Sequence, residues 1–260
     1  MLSDLISLNT LGLWLVILLG SWLQTLTGFA FGLIVMGGVG ALSLMPLPEA
    51  AIVSGFLTMV NGALILARKH PAVDRHALGL LLVGSVPGLA LGYWLLMYMA
   101  GNALVLLQFT LGLMVTLAAI QMMRSPIQLR DRSKNGPFII SGFFSGMMGG
   151  MFSTAGPPVI WHLYRQPLST EAIRCTLVAV FFVGAVLRMG IVFATTGISA
   201  QVLLVSAVAV PVVIFGTWLA TRHPPRLAPQ TMRKLAFGLL FLSGLAMLAP
   251  ALATFFKEIL

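Results

Sequence analysis

The sequence predicts an all-α polytopic membrane protein built as two inverted repeats, each a re-entrant or broken-helix hairpin followed by three transmembrane helices. Three observations predict it. The 260 residues are 59% hydrophobic and only 8% charged, with mean hydropathy +1.03, whereas soluble domains carry roughly a quarter charged residues. So little charge cannot cover a water-soluble particle, and lipid is the solvent that fits. The apolar residues fall in eight stretches, and two of these are too short to cross twice and too long to cross once. The basic residues sort onto one side of a membrane only if those two stretches return to the side they left.

In chain order, residues 11–45 form the first stretch, of 35 residues, followed by single-span stretches at 50–67, 77–99 and 103–123. The polar segment RSPIQLRDRSKNG at 124–136 divides the chain. A 28-residue stretch at 137–164 then opens the second half, followed by 173–195, 202–221 and 235–256. Two crossings need about 40 residues, so the first and fifth stretches are expected to be hairpins of short or half-length helices. The organisation is therefore a repeat at 1–123, a cytoplasmic basic linker at 124–136, and an inverted repeat at 137–260. The N-terminus carries Asp4 but no basic n-region, so the first apolar stretch is read as part of the mature protein.

The halves echo one another. Pro87-Gly92-Trp94 and Pro211-Gly216-Trp218 share the spacing P-x4-G-x-W at an offset of 124, and Glu49-Ala50 answers Glu171-Ala172 at 122. With eight simple spans the loop and terminal Lys and Arg divide eight against six; with two returning hairpins they divide thirteen against one. The positive-inside rule selects the second arrangement. Three spans after each hairpin invert the second half and put both termini in the periplasm. Trp94 then lies at the outer interface and Trp218 at the inner one.

Each hairpin contains a run of Gly, Pro and hydroxyl residues: TLTGFAFG at 25–32 and GGMFSTAGPP at 149–158. Non-helical backbone at membrane depth must be satisfied by protein or a water-filled cavity. Ser153 or Thr154 is expected to cap the following half-helix, with Gly156 preceding it and Pro157 and Pro158 in its first turn. The opening amides of such a helix lack internal partners and carry the positive end of its dipole, so they form an anion site. Thr27, Gly28 and Gly32 are expected to serve likewise from the first hairpin. Gly88/Gly92 and Gly142/Gly146 are read instead as close-packing pairs between helices.

Arg188 is the one charge well inside an apolar run, and all six acids fall at the ends of runs or in loops. A central Arg is costly. It is expected either to meet an anionic substrate or to snorkel to the outer face. Asn61 and Gln24 either line a cavity or hydrogen-bond between helices. His162 is a candidate for gating or proton coupling, or else an interface anchor. One cysteine, Cys175, excludes an intrachain disulfide and a cysteine-based metal cluster. Neither a metal site nor a cofactor is expected, and basic loops between apolar runs point to the bilayer rather than to nucleic acid.

The paired motifs GFAFG at 28–32 and STAGPP at 153–158, the Glu-Ala-led helix after each and the basic central loop resemble the TauE/SafE sulfite-exporter family along essentially the whole chain. Ser153, Ala155 and Ala30 stand where that family commonly has glycine. The resemblance implies a bacterial inner-membrane permease for sulfite, sulfonates or related small organic anions. Together with the residues it sets the expectation of an exporter of a small anion working by alternating access. An anion channel or a non-transporting assembly partner stands as the alternative, and a homodimer is left open. No HExxH, P-loop or GxSxG motif supports an enzyme.

Overall fold

The structure is a computed structural model that describes residues 8–69, 72–123, 128–154, 156–223, 237–238, 241–246 and 248–249. Nine helices order the described residues: α1 Leu8–Thr27, α2 Phe31–Leu42, α3 Leu47–Lys69, α4 Arg75–Asn102, α5 Leu104–Met123, α6 Asn135–Phe152, α7 Pro157–Tyr164, α8 Thr170–Thr195 and α9 Ala200–Arg222. No strand occurs among them. Helices α1, α3, α4, α5, α8 and α9 are each long and apolar enough to cross a membrane. Most of the last apolar stretch and both termini lie outside the described residues.

Both expected breaks are present. Between α1 and α2 the chain turns through left-handed Gly28 (φ 84°) and Ala30 (φ 94°), and α6 ends on left-handed Ser153 (φ 53°). Short or half-length helices are expected in both arms, and only the arm after each break is short. The arm before each break is long, 20 residues in α1 and 18 in α6, and the arm after it is short, 12 in α2 and 8 in α7. Gly12, Gly20, Ser21 and Gln24 do not break the α1 ladder, which runs on to Thr27.

Side-chain caps fix the starts of three other helices. Asp74, Ser169 and Ser199 accept the N–H of Ala77, Ala172 and Val202 at 2.9, 3.2 and 3.3 Å, and so begin α4, α8 and α9. Glu49 and Glu171 lie in the first turns of α3 and α8, where the helix dipole favours them. Asp74 also joins Arg132 of the central linker at 3.0 Å. Burial would raise its carboxyl, but Arg132 and the Ala77 N–H outweigh burial and hold it below the ordinary carboxylate value. The linker is further tied down by Leu129 N–H to Arg165 O (2.8 Å) and Ser133 N–H to Gln166 Oε1 (3.0 Å).

Helices α3 and α8 pack together at the centre. Around them α4 lies on α6 and α1 on α9, while α3 meets α9 as α4 meets α8. The α4–α6 seam is set by glycines, as the sequence suggested for four of them. A methyl group on Gly84, Gly88 or Gly92 would collide with the backbone of α6, and one on Gly142, Gly146 or Gly150 with that of α4. The two backbones therefore touch directly. The α1–α9 seam has Gly216 against Ser21, but beside it side chains hold the helices apart around a groove lined by Trp14, Leu15, Leu18, Pro211, Val212 and Phe215. Outward faces carry Leu15, Val83, Trp94, Tyr98, Phe193 and Phe215, all exposed. That apolar rim suits lipid.

Candidate functional site

The two breaks meet. Gly32, in the first turn of α2, lies so close to the carbonyl of Ser153 and to Thr154 that no side chain fits between them. Around this junction lies an internal cavity of about 40 Å³. A single water needs about 10–15 Å³, so the space suits a few waters or one compact polyatomic ion. Its wall includes Gln24, Gly32, Ser145, Ser153, Thr154 and Arg188.

Arg188 enters from α8 and is 1% exposed, which rules out snorkelling to the surface. The helix points it inward because its neighbours on that face, Ala185, Met189 and Val192, are buried too. Its Nε donates to Gly150 O and its Nη1 to Ala51 O, each at 3.0 Å, and the guanidinium stands 5.9 Å from the ring of Tyr93. The Tyr93 hydroxyl is tied to Thr195 Oγ1 at 2.9 Å and Thr196 Oγ1 at 3.2 Å. Gly150 sits two residues before the end of α6, so Arg188 places its charge against the carbonyl-rich end of a helix. Its remaining nitrogen, Nη2, is buried without a hydrogen-bond partner. Gln24, 2% exposed, has the same deficiency at Nε2. Two orphaned donors on one small cavity are uncommon, because a buried donor left unpaired costs about 1–3 kcal/mol, and more when charged.

The backbone adds to this. Ala30, Phe31, Gly32 and Leu33 all line the cavity, and the first intrahelical bond of α2 is Ile34 N–H to Ala30 O at 2.9 Å. The residues that carry the amides ahead of that bond therefore lie in the wall, at the positive end of the helix. Helix α7 offers less than the sequence suggested. Pro157 and Pro158 have no N–H, and the N–H of Gly156 is taken by Ser145 Oγ at 3.0 Å. Neither Ser153 nor Thr154 caps α7. Gly156 is its N-cap, and Ser153 instead ends α6 and donates its hydroxyl to Ala51 O.

Of the residues singled out in the sequence, Gln24, Gly32, Ser153, Thr154 and Arg188 therefore share the cavity. Thr27 does not join them, since its hydroxyl donates to Leu23 O and Phe29 O at 2.7 and 2.8 Å. Gly28 packs on the backbone of Arg174 instead. Asn61 links helices, reaching Thr217 Oγ1 at 3.2 Å and Ser21 O at 3.4 Å. His162 is buried edge-on to Phe138, with ring centroids 4.5 Å apart, and lies 3.4 Å from Gln166 Nε2. Gly156 and Pro157 shape the second break behind the cavity wall. Sequence reasoning missed Ser145, Thr58 and Ser85 in the wall, and Tyr93 under Arg188. Tyr93 stands inside the repeated Pro-Gly-Trp motif and Ser145 between two packing glycines, so each was hidden by a neighbour with a structural role.

Residues 13–247 match the family described as Sulfite exporter TauE/SafE. The chain is 37% identical, over 246 residues, to a Cupriavidus necator protein named Probable sulfite/organosulfonate exporter TauE, covering 95% of this chain and 96% of that one. It is 27% identical, over 209 residues, to Probable inner membrane transporter protein TsaS of Comamonas testosteroni, covering 76% and 86%. No solved structure matches.

Proposed function

The chain belongs to the TauE/SafE sulfite-exporter family and is a membrane transporter rather than an enzyme; from that premise we propose that it exports a small anion, such as sulfite or a compact sulfonate, from a bacterial cell across the inner membrane. The observation that carries the reading is the pair of orphaned buried donors, Arg188 Nη2 and Gln24 Nε2, on one cavity. A bound oxyanion supplies the acceptors and the countercharge that the protein withholds. Among the described residues the carboxylates are Glu49, Asp74, Asp131 and Glu171, at helix starts and in the linker. None of them lines the cavity.

The mechanism we propose is alternating access between two inverted repeats, residues 1–123 and 137–260, joined by a cytoplasmic linker, with both termini periplasmic. The charge distribution along the sequence favours it. So does the paired packing, with α4 on α6 matching α1 on α9. An anion leaving an inside-negative cell moves downhill by about 2.3 kcal/mol per charge per 100 mV. Export then needs no coupling ion, in keeping with a cavity free of carboxylates.

Flux of labelled sulfite from proteoliposomes under an imposed potential tests the reading. The protein should pass sulfite at a rate that rises with inside-negative voltage. Arg188→Ala should cut that flux about a hundredfold or more while the protein still inserts, since breaking a buried charge contact costs about 3 kcal/mol or more. Voltage-insensitive or absent flux of every small sulfur oxyanion refutes it.

A further inference from the structure

Among the described residues three buried nitrogen donors lack a partner: Gln24 Nε2, Arg188 Nη2 and Arg174 Nε. The first two line the central cavity. The third lines a second, smaller one of about 20 Å³, whose wall includes Thr25, Gly28, Glu171 and Arg174. Fourteen residues separate Arg174 from Arg188 on α8, a rise of about 21 Å with the two side chains on nearly the same face.

The two arginines are held alike. Arg188 donates to Gly150 O, two residues before the end of α6, and Arg174 Nη2 donates to Thr25 O at 2.6 Å, two residues before the end of α1. Each therefore braces the long arm of one hairpin and keeps one nitrogen spare at a cavity. The first break is the partition between the cavities. Thr25 and Gly28 face the smaller one, while Gln24 and Ala30 face the larger. Residues 28–30 are irregular, with left-handed Gly28 and Ala30, so the wall is the last turn of α1 continued by a short non-helical segment.

We propose that Arg174 forms a second anion position at the basic, inner end of α8, an antechamber closed in this structure to the space of about one water, which opens and loads the central site when the first break shifts. This rests on the transport reading above. The chemistry recognised is that of a small oxyanion: one guanidinium N–H beside a half-buried positive charge. Glu171 lines the same cavity, and its negative charge opposes an anion there. The antechamber is therefore weak and releases its anion onward, as a transit site must.

The two residues make opposite predictions in uptake of labelled sulfite by inverted membrane vesicles, where the cytoplasmic face meets the added anion. Arg174→Ala should raise KM about tenfold, with maximal rate within about twofold, by loss of one charged hydrogen bond. Glu171→Gln, which leaves the bond to Thr25 in place, should lower KM about threefold by removing the opposing charge. Arg174→Lys should recover part of the lost affinity. If Arg174→Ala destabilises the hairpin, the Glu171→Gln result alone decides. An unchanged KM in Glu171→Gln, or a loss confined to maximal rate in Arg174→Ala, overturns the antechamber while leaving the central site standing. Absence of sulfite uptake by the unmodified protein removes both readings together.

Discussion

The two hairpin breaks meet at one cavity yet supply different chemistry to it. The first opens helix α2, whose first-turn residues line the cavity, and brings Gln24 from α1. The second opens α7, which has two prolines and one amide already spent on Ser145. It contributes hydroxyls and the Gly150 carbonyl that seats Arg188. One break donates and the other positions the cation. The lesson is that two similar breaks do not imply similar ligands, because a proline at the first turn removes the donors that an anion would use.

The largest blow to this arrangement should come from Gly32→Val, which puts a side chain into the Ser153 carbonyl. Separating the breaks should abolish flux and cost about 1–3 kcal/mol or more of stability, read by thermal unfolding in detergent. Gln24→Leu comes next and sharpens the donor role of the first break. Sulfite affinity should fall about tenfold, while the anion-free protein should unfold no earlier than the parent, since an orphaned donor has been removed. Ser145→Ala should act in the reverse sense. It frees the Gly156 N–H and should cost about 1 kcal/mol of stability with little change in affinity. The smallest effect should be that of Pro158→Ala, which restores one amide to the first turn of α7. Titration should show sulfite bound no more weakly, and at most about threefold more tightly, in line with a helix-terminus contribution below about 1 kcal/mol.

Much of this was legible in the sequence. The length and composition of the runs gave the helices, and Gly, Pro and hydroxyl residues marked both breaks where they occur. Arg188 stood out because a cation in an apolar run demands a reason. The lengths of the first arms were not legible, since the apolar stretches start at 11 and 137 whereas α1 and α6 begin at Leu8 and Asn135, among polar residues. Nor was the division of labour between the breaks. Pro157 and Pro158 read as helix starters, and whether Gly156 has a free amide depends on Ser145, eleven residues upstream on a different helix. Thr27 and Gly28 lie in the same short motif as Gly32 but face another way, because left-handed turns at 28 and 30 redirect the chain between them. Periodicity carries no information across such a turn.

The most direct measurement is an experimental structure of the protein soaked with selenite, an electron-dense mimic of sulfite. The account places one anion between α2 and α8, with oxygens within about 2.7–3.2 Å of both Arg188 Nη2 and Gln24 Nε2. A central cavity left empty while the anion binds elsewhere, or both nitrogens already satisfied by protein groups, would contradict it.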